Sequence, residues 1–363
     1  MSNLIAIGNR FDRLATVSQF VQSSDGYNWS VPIRDDFPFL PFFHRHSGIG
    51  IAWTQDLPWT IRLNSQYPTL NSVCWGNNGF IAVGDLGTIL SSPNGVSWST
   101  QFSDTTTNLT GITYSGNTYI SVGNIGNIIS SSDGVNWYTQ TSNITANLSS
   151  IAYSNTLNLF AAVGNNGTII TSNNIVNWTQ QTSNIYTNLN TILCAPSNWG
   201  SGGWNDNTLP WDSSFFIAAG NYGNIVTSIN GINWTPQISN SLINFNTLTS
   251  DGINIICSGN NGNIITSENG IGWSIIASGS NTNLYASSST QQYEFVTVVA
   301  GQQGTILRVT EGDNTYTDET QISLDFYGSA YSLYYNIFVN VGESGSIITS
   351  SVNNPMQTIT AIS

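Results

Sequence analysis

Gly123-Asn124-Ile125-Gly126-Asn127-Ile128-Ile129-Ser130-Ser131-Ser132-Asp133-Gly134-Val135-Asn136-Trp137 holds a turn, a short apolar run and a second turn that ends on a tryptophan. Its opening, Gly-x-x-Gly-x-Ile, recurs at Gly84, Gly164, Gly220, Gly259, Gly301 and Gly342. The steps between copies are 39, 41, 56, 39, 42 and 41 residues, so one step carries an insertion. A period near 40 built from short runs and glycine turns predicts a β-propeller.

Outward from that stretch, residues 109–141 read as one blade. Leu109 to Tyr114, Tyr119 to Val122, Asn127 to Ser130 and Asn136 to Gln140 are four short runs, separated by Gly, Asn, Asp and Ser. Four such runs are four antiparallel strands. No stretch keeps a helical period, which makes the chain all-β. Both glycines of Gly-x-x-Gly are expected at positive φ in the second hairpin. In Ser-x-Asp/Asn-Gly-x-x-Trp, the Asp or Asn bonds its own turn, the Gly takes the left-handed position and the Trp packs between blades. That box stands at Ser92 to Trp98, Ser131 to Trp137, Ser228 to Trp234 and Ser267 to Trp273, with Ile175 replacing the glycine at Ser172 to Trp178. Copies six and seven have lost the tryptophan, as terminal repeats often do.

The box resembles the Asp-box of sialidases and related propellers, in a form one residue shorter before its glycine. The resemblance implies a rim position, away from any active site. The repeat also resembles the photosystem II stability/assembly factor propellers, a family marked by an arginine-rich patch that these repeats do not supply. It is more similar still to the Asn/Gly-rich repeat propellers of bacteriophages and large viruses, carried here by Ala82-Val83-Gly84, Ala162-Val163-Gly164 and Asp133 to Trp137. That likeness implies a virion or host-attachment protein.

Composition narrows the function. The chain has 363 residues, no lysine and a net charge of −13, which speaks against nucleic acid and anionic membrane surfaces as partners. No run is long enough to span a membrane, and Met1-Ser2-Asn3-Leu4 lacks the features of a signal peptide. Cys74, Cys194 and Cys257 sit in apolar runs and read as buried thiols.

Two segments break the repeat. Residues 1–66 form an irregular head with five of the six arginines and five acids, followed by a seven-repeat propeller at 67–363. The head contains a box at Ser23 to Trp29 and reads as an eighth, irregular blade, with an arm beside a seven-bladed ring as the alternative. Its Phe37, Phe39, Phe42, Phe43, His44, Arg45 and His46 lie among prolines that forbid a central strand. They either cover the ring or dock a partner. The second break, at 196–214, explains the long step and places Trp199, Trp204 and Trp211 with Asp206 and Asp212 on a Gly-rich loop. Exposed tryptophans with amides and acids are what a glycan surface uses, and such a loop can equally fold over its own blade or seal a contact.

Chemistry is hard to find. A sialidase triad needs three arginines at the ring centre, and Arg308 is the only one outside the head. The acids are mostly turn residues, which leaves no evident carboxylate pair. His44 and His46 are half of a metal site at most. The expectation is therefore a non-enzymatic propeller with no catalytic residues, cofactor or metal. It would sit on a virion or extracellular surface, contacting other virion proteins or a host glycan or receptor. The alternatives are a glycan-active enzyme with a central site and an assembly factor for a host complex.

Overall fold

The computed structural model describes residues 4–12, 15–23, 59–63, 67–77, 79–196, 214–290, 296–310, 314–318 and 323–351. The chain divides into two units, residues 56–352 and residues 1–55 with 353–363. In the second of these, Leu4–Asp12 and Ala15–Ser23 pair as an antiparallel hairpin.

The first unit is a propeller of seven four-stranded antiparallel sheets. Blades 1 to 6 are continuous in sequence, at residues 70–101, 109–140, 148–181, 189–237, 245–276 and 284–318. Blade 7 takes three strands from residues 326–351 and its outermost strand from Thr60–Leu63. That strand pairs Thr60 with Thr349 and Ile61 with Ile348, and Arg62 Nε donates to Thr349 Oγ1 at 2.8 Å. The head thus gives the ring one closing strand, and the eighth blade expected of it is absent among the described residues. Four residues suffice for an edge strand, and the one taken from the head closes blade 7 without a blade of its own.

The seams between blades are apolar where the repeat is regular. Between blades 3 and 4, Ala161, Val163 and Ile169 meet Leu189, Ile192, Phe216, Ala218, Val226 and Trp234. Between blades 7 and 1, Val339, Val341 and Ile347 meet Leu70, Phe80, Ala82 and Leu90, which closes the ring. The period-2 alternation supplies this pattern, because successive side chains of a strand face opposite neighbours.

The boxes are self-contained turns. In blade 2, Gly134 N donates to Ser131 Oγ at 2.8 Å, and Asn136 N and Val135 N donate to Asp133 Oδ1 at 2.8 and 2.9 Å. These backbone donors, Asn136 first, hold the Asp133 carboxyl below the usual carboxylate range. Trp137 Nε1 closes the turn on Gly134 O at 3.2 Å. The three thiols are unpaired, and burial pushes the pKa of each upward.

Asp251 is the opposite case to Asp133. It sits buried in the hairpin between the first two strands of blade 5, accepting from Ile253 N and Asn254 N at 2.8 and 2.7 Å. Burial outweighs those bonds and raises its pKa above the ordinary 3.8. A carboxyl raised on folding binds its proton more tightly in the folded state, so the fold loses stability as pH climbs from 3.8 through the folded value. Asp251→Asn keeps the accepting oxygen and removes the charge. We expect its Tm to exceed that of the wild type at neutral pH, with the difference shrinking toward pH 3.8 in a melting series.

Candidate functional site

The Gly-x-x-Gly turns all emerge on one face, together with the links that carry the chain from each outermost strand to the next blade. In blade 1, Thr88 N donates to Asp85 O at 3.0 Å, and Leu86 and Gly87 have φ of 56° and 70°. Two successive positive φ values make this a type I′ turn. The left-handed residues are therefore the third and fourth of the motif. The first glycine, expected at positive φ, is extended, with Gly84 at φ −163°. It is required for space, because a Cβ there would overlap the carbonyl oxygen of Thr69.

A polar ladder locks these turns to the links. Leu86 N donates to Asn108 Oδ1 at 3.0 Å, Ile125 N to Asn147 Oδ1 at 2.9 Å and Tyr222 N to Asn244 Oδ1 at 3.1 Å. Asn166, Asn261 and Gln303 do the same with Asn188, Asn283 and Asp325. The signal was available in sequence as Asn-Leu or Asn-Phe at the start of five innermost strands, at Asn108-Leu109, Asn147-Leu148, Asn188-Leu189, Asn244-Phe245 and Asn283-Leu284.

The third turn residue, fixed in backbone, is free in side chain. Blades 3, 5, 6 and 7 use Asn166, Asn261, Gln303 and Ser344, which suit a left-handed turn. Blades 1, 2 and 4 use Leu86, Ile125 and Tyr222, each about two-thirds exposed at 67%, 65% and 65%. A bulky or β-branched residue at positive φ is strained by roughly 1–2 kcal/mol. Nothing in the packing of an exposed side chain offsets that cost. The neighbouring links add Phe102, Tyr186 and Leu242, also exposed. Among the described residues, exposed apolar side chains on this face are thus gathered on the blade 1 to 4 side.

Ile125 borders a cleft of about 830 Å³ over blades 2 and 3. Thr105, Thr107, Asn127, Gln140, Asn143 and Gln180 contribute to its wall, which carries no acid, base, thiol or imidazole. Asn127 Nδ2 donates to Thr105 Oγ1 at 3.2 Å, and Gln140 Nε2 donates to Ser130 Oγ at 3.0 Å, so part of the lining is held in place. Such a wall can bind neutral hydrogen-bonding groups and has nothing with which to move a proton.

Acids of this face stand at two places, Asp85 in the turn of blade 1 with exposed Asp104 in the link to blade 2, and Asp325 with Glu343 beside blades 6 and 7. Tyr327 OH donates to Asp325 Oδ2 at 3.2 Å, and Asp325 N donates to Glu343 Oε2 at 3.4 Å. Burial, then the Asp325 charge, pushes the Tyr327 phenol upward, so it stays protonated. Asp325 also serves the ladder through its other oxygen, which makes it a structural acid. No group of three or more His, Cys, Asp or Glu with metal-binding geometry exists among the described residues. Nor is any helix among them long and apolar enough to cross a membrane.

The residues singled out in sequence are not part of this picture. Phe37, Phe39, Phe42, Phe43, His44, Arg45 and His46 lie outside the described residues, as do Trp199, Trp204, Asp206, Trp211 and Asp212. The insertion leaves blade 4 at Pro196 and returns at Ser214, joining the first two strands at the end opposite the Gly-x-x-Gly turns.

No protein-family model matches the chain, and no curated protein sequence does. Among solved structures it is similar to YCF48 bound to a D1 peptide, with a TM-score of 0.63 and 15% identity over 82% of this chain and 96% of that one. It is also similar to YCF48 from Cyanidioschyzon merolae, with a TM-score of 0.59 and 14% identity over 81% and 98%. At this identity the likeness is one of fold. The virion and glycan-binding readings give way on it, because YCF48 is a photosystem II assembly factor and the ligand named with it is a peptide. The phage likeness rested on Asn/Gly-rich turns, and those turns are what a ring of this geometry requires from any source.

Proposed function

We propose that this chain is a non-enzymatic assembly factor whose turn face holds an uncharged segment of a partner protein while a larger complex is built. The observation that carries it is the presence of strained, exposed Leu86, Ile125 and Tyr222 on one face, with Ile125 bordering a cleft whose wall is uncharged. Strain retained at exposed positions marks a site selected for something other than stability. The peptide-bound YCF48 structure supports the reading, since it is a propeller of this fold taking a peptide. The partner must differ in charge from one that seeks an arginine patch. Within the described ring only Arg62 and Arg308 are basic, and Arg308 is buried. The aromatic head at residues 37–46 is a second proposed contact, on its sequence alone.

Two experiments follow. Ile125→Asn gives blade 2 the residue of blades 3 and 5, and is expected to raise unfolding stability by about 1 kcal/mol while weakening partner capture. Denaturant melts and a binding assay on the same preparation check both halves. A photo-crosslinker at Ile125 should trap one subunit of a multi-subunit complex, at one mapped segment. Scattered adducts, or turnover of a polysaccharide by the purified protein, would count against the reading.

A further inference from the structure

In the regular seams, the innermost strand pairs an aliphatic residue with a small one on the face toward the preceding blade. Blades 1, 3 and 4 use Val73–Ala82, Ile151–Ala162 and Ile192–Ala218. Blade 7 has Ser329–Asn340 at this place. Cross-strand partners share a face, and Ser329 Oγ lies 2.6 Å from Ser288 Oγ of blade 6, so Asn340 also faces the seam between blades 6 and 7. Asn340 is completely buried, and neither its Nδ2 nor its Oδ1 has a hydrogen-bond partner.

A buried amide with both ends unmet is rare in folded proteins, and in native structures such groups are commonly met by internal water. The chemistry selects the occupant. A cation would satisfy Oδ1 alone and an anion Nδ2 alone, whereas water donates and accepts at once. Room is available, because serine in place of isoleucine removes more volume than asparagine in place of alanine restores. We infer that an ordered water molecule is bound in the seam between blades 6 and 7, held by the Asn340 amide and the Ser288–Ser329 hydroxyl pair. The seam between blades 5 and 6 carries the same chemistry. Ser258 is fully buried with its Oγ unmet, and it pairs across the sheet with Thr247, whose Oγ1 lies 2.7 Å from Ser287 Oγ. Buried polar side chains with unmet atoms thus line the seams between blades 5 and 6 and between blades 6 and 7, whereas the seams between blades 3 and 4 and between blades 7 and 1 are lined by apolar side chains.

The test counts slowly exchanging internal waters by oxygen-17 relaxation dispersion in the wild type and in a Ser329→Ile, Asn340→Ala double variant, which installs the pair of blades 3 and 4. The wild type is expected to hold at least one more such water than the variant. Equal counts would overturn the inference. A crystal structure of the unaltered protein decides it independently, should the variant fail to fold. Water density within hydrogen-bonding distance of Asn340 supports the site, while a direct bond from the amide to protein, with no density, removes it.

Discussion

Trp234→Ala is expected to lower the stability of the ring by about 3–5 kcal/mol, the usual range for emptying a large aromatic site in a core. For a unit of this size that corresponds to a fall in Tm of roughly 5–8 °C. Trp234 is 4% exposed in the seam between blades 3 and 4, with its ring centroid 6.2 Å from that of Phe216. Its Nε1 donates to Gly231 O at 3.1 Å, so the side chain ties the outer turn of blade 4 to the seam. Trp273 provides an internal control, since its Nε1 has no hydrogen-bond partner although the ring is buried. Replacing either tryptophan by Phe removes little apolar surface. Trp234→Phe should therefore cost about 1 kcal/mol more than Trp273→Phe, the net worth of one hydrogen bond. Equal Tm values for the two Phe variants, or a negligible effect of Trp234→Ala, would show that the boxes are decoration on seams held by other residues.

The boxes were readable in sequence because their chemistry is local. Ser92, Asn94, Gly95 and Trp98 all act within one turn, and the offsets between the Ser, the Asp or Asn and the Trp survive in five blades, with the Gly in four. Blade number was not readable for the opposite reason. Thr60-Ile61-Arg62-Leu63 has no turn signature, and its partner strand lies almost the whole chain away, as the Arg62–Thr349 bond shows. The role of the first motif glycine is not legible in sequence because close backbone approach leaves no trace in composition, whereas a left-handed turn does. The candidate site was hidden by the regularity that revealed the fold. With the turn residues assigned to architecture, the aromatic breaks at residues 37–46 and 196–214 are what stands out in the sequence. Yet the backbone of a Gly-x-x-Gly turn constrains only its glycines and hydrogen bonds. At its third position Leu86, Ile125 and Tyr222 are exposed and depart from the Asn, Gln or Ser of the other blades at a cost in strain. A strained departure within an otherwise conforming repeat is a more specific signal than an irregular loop, because the conforming copies state what the backbone alone would choose.

Removal of residues 1–64 should open the ring at blade 7. The truncated chain loses the pairing of Thr60 and Ile61 with Thr349 and Ile348, and loses Trp59, which packs against the cluster of Phe326, Phe338 and Ile348. Summing a partly buried aromatic and a few ladder hydrogen bonds, we expect a loss on the order of 5 kcal/mol. The strand Ile347–Ser351 then becomes a free edge, which invites pairing between molecules. Size-exclusion chromatography should accordingly show association that grows with concentration, alongside a lower Tm. A synthetic peptide spanning residues 57–66, added in trans, should restore both monomer and Tm by strand addition, since main-chain bonds supply most of the affinity. The peptide separates two causes of the same loss. Recovery assigns the stability to the closing strand. A persistent deficit at saturating peptide would show that pairing of the closing strand does not account for the whole loss. A truncated protein that melts like the wild type and stays monomeric would mean that the inner strands and seams alone hold the ring shut.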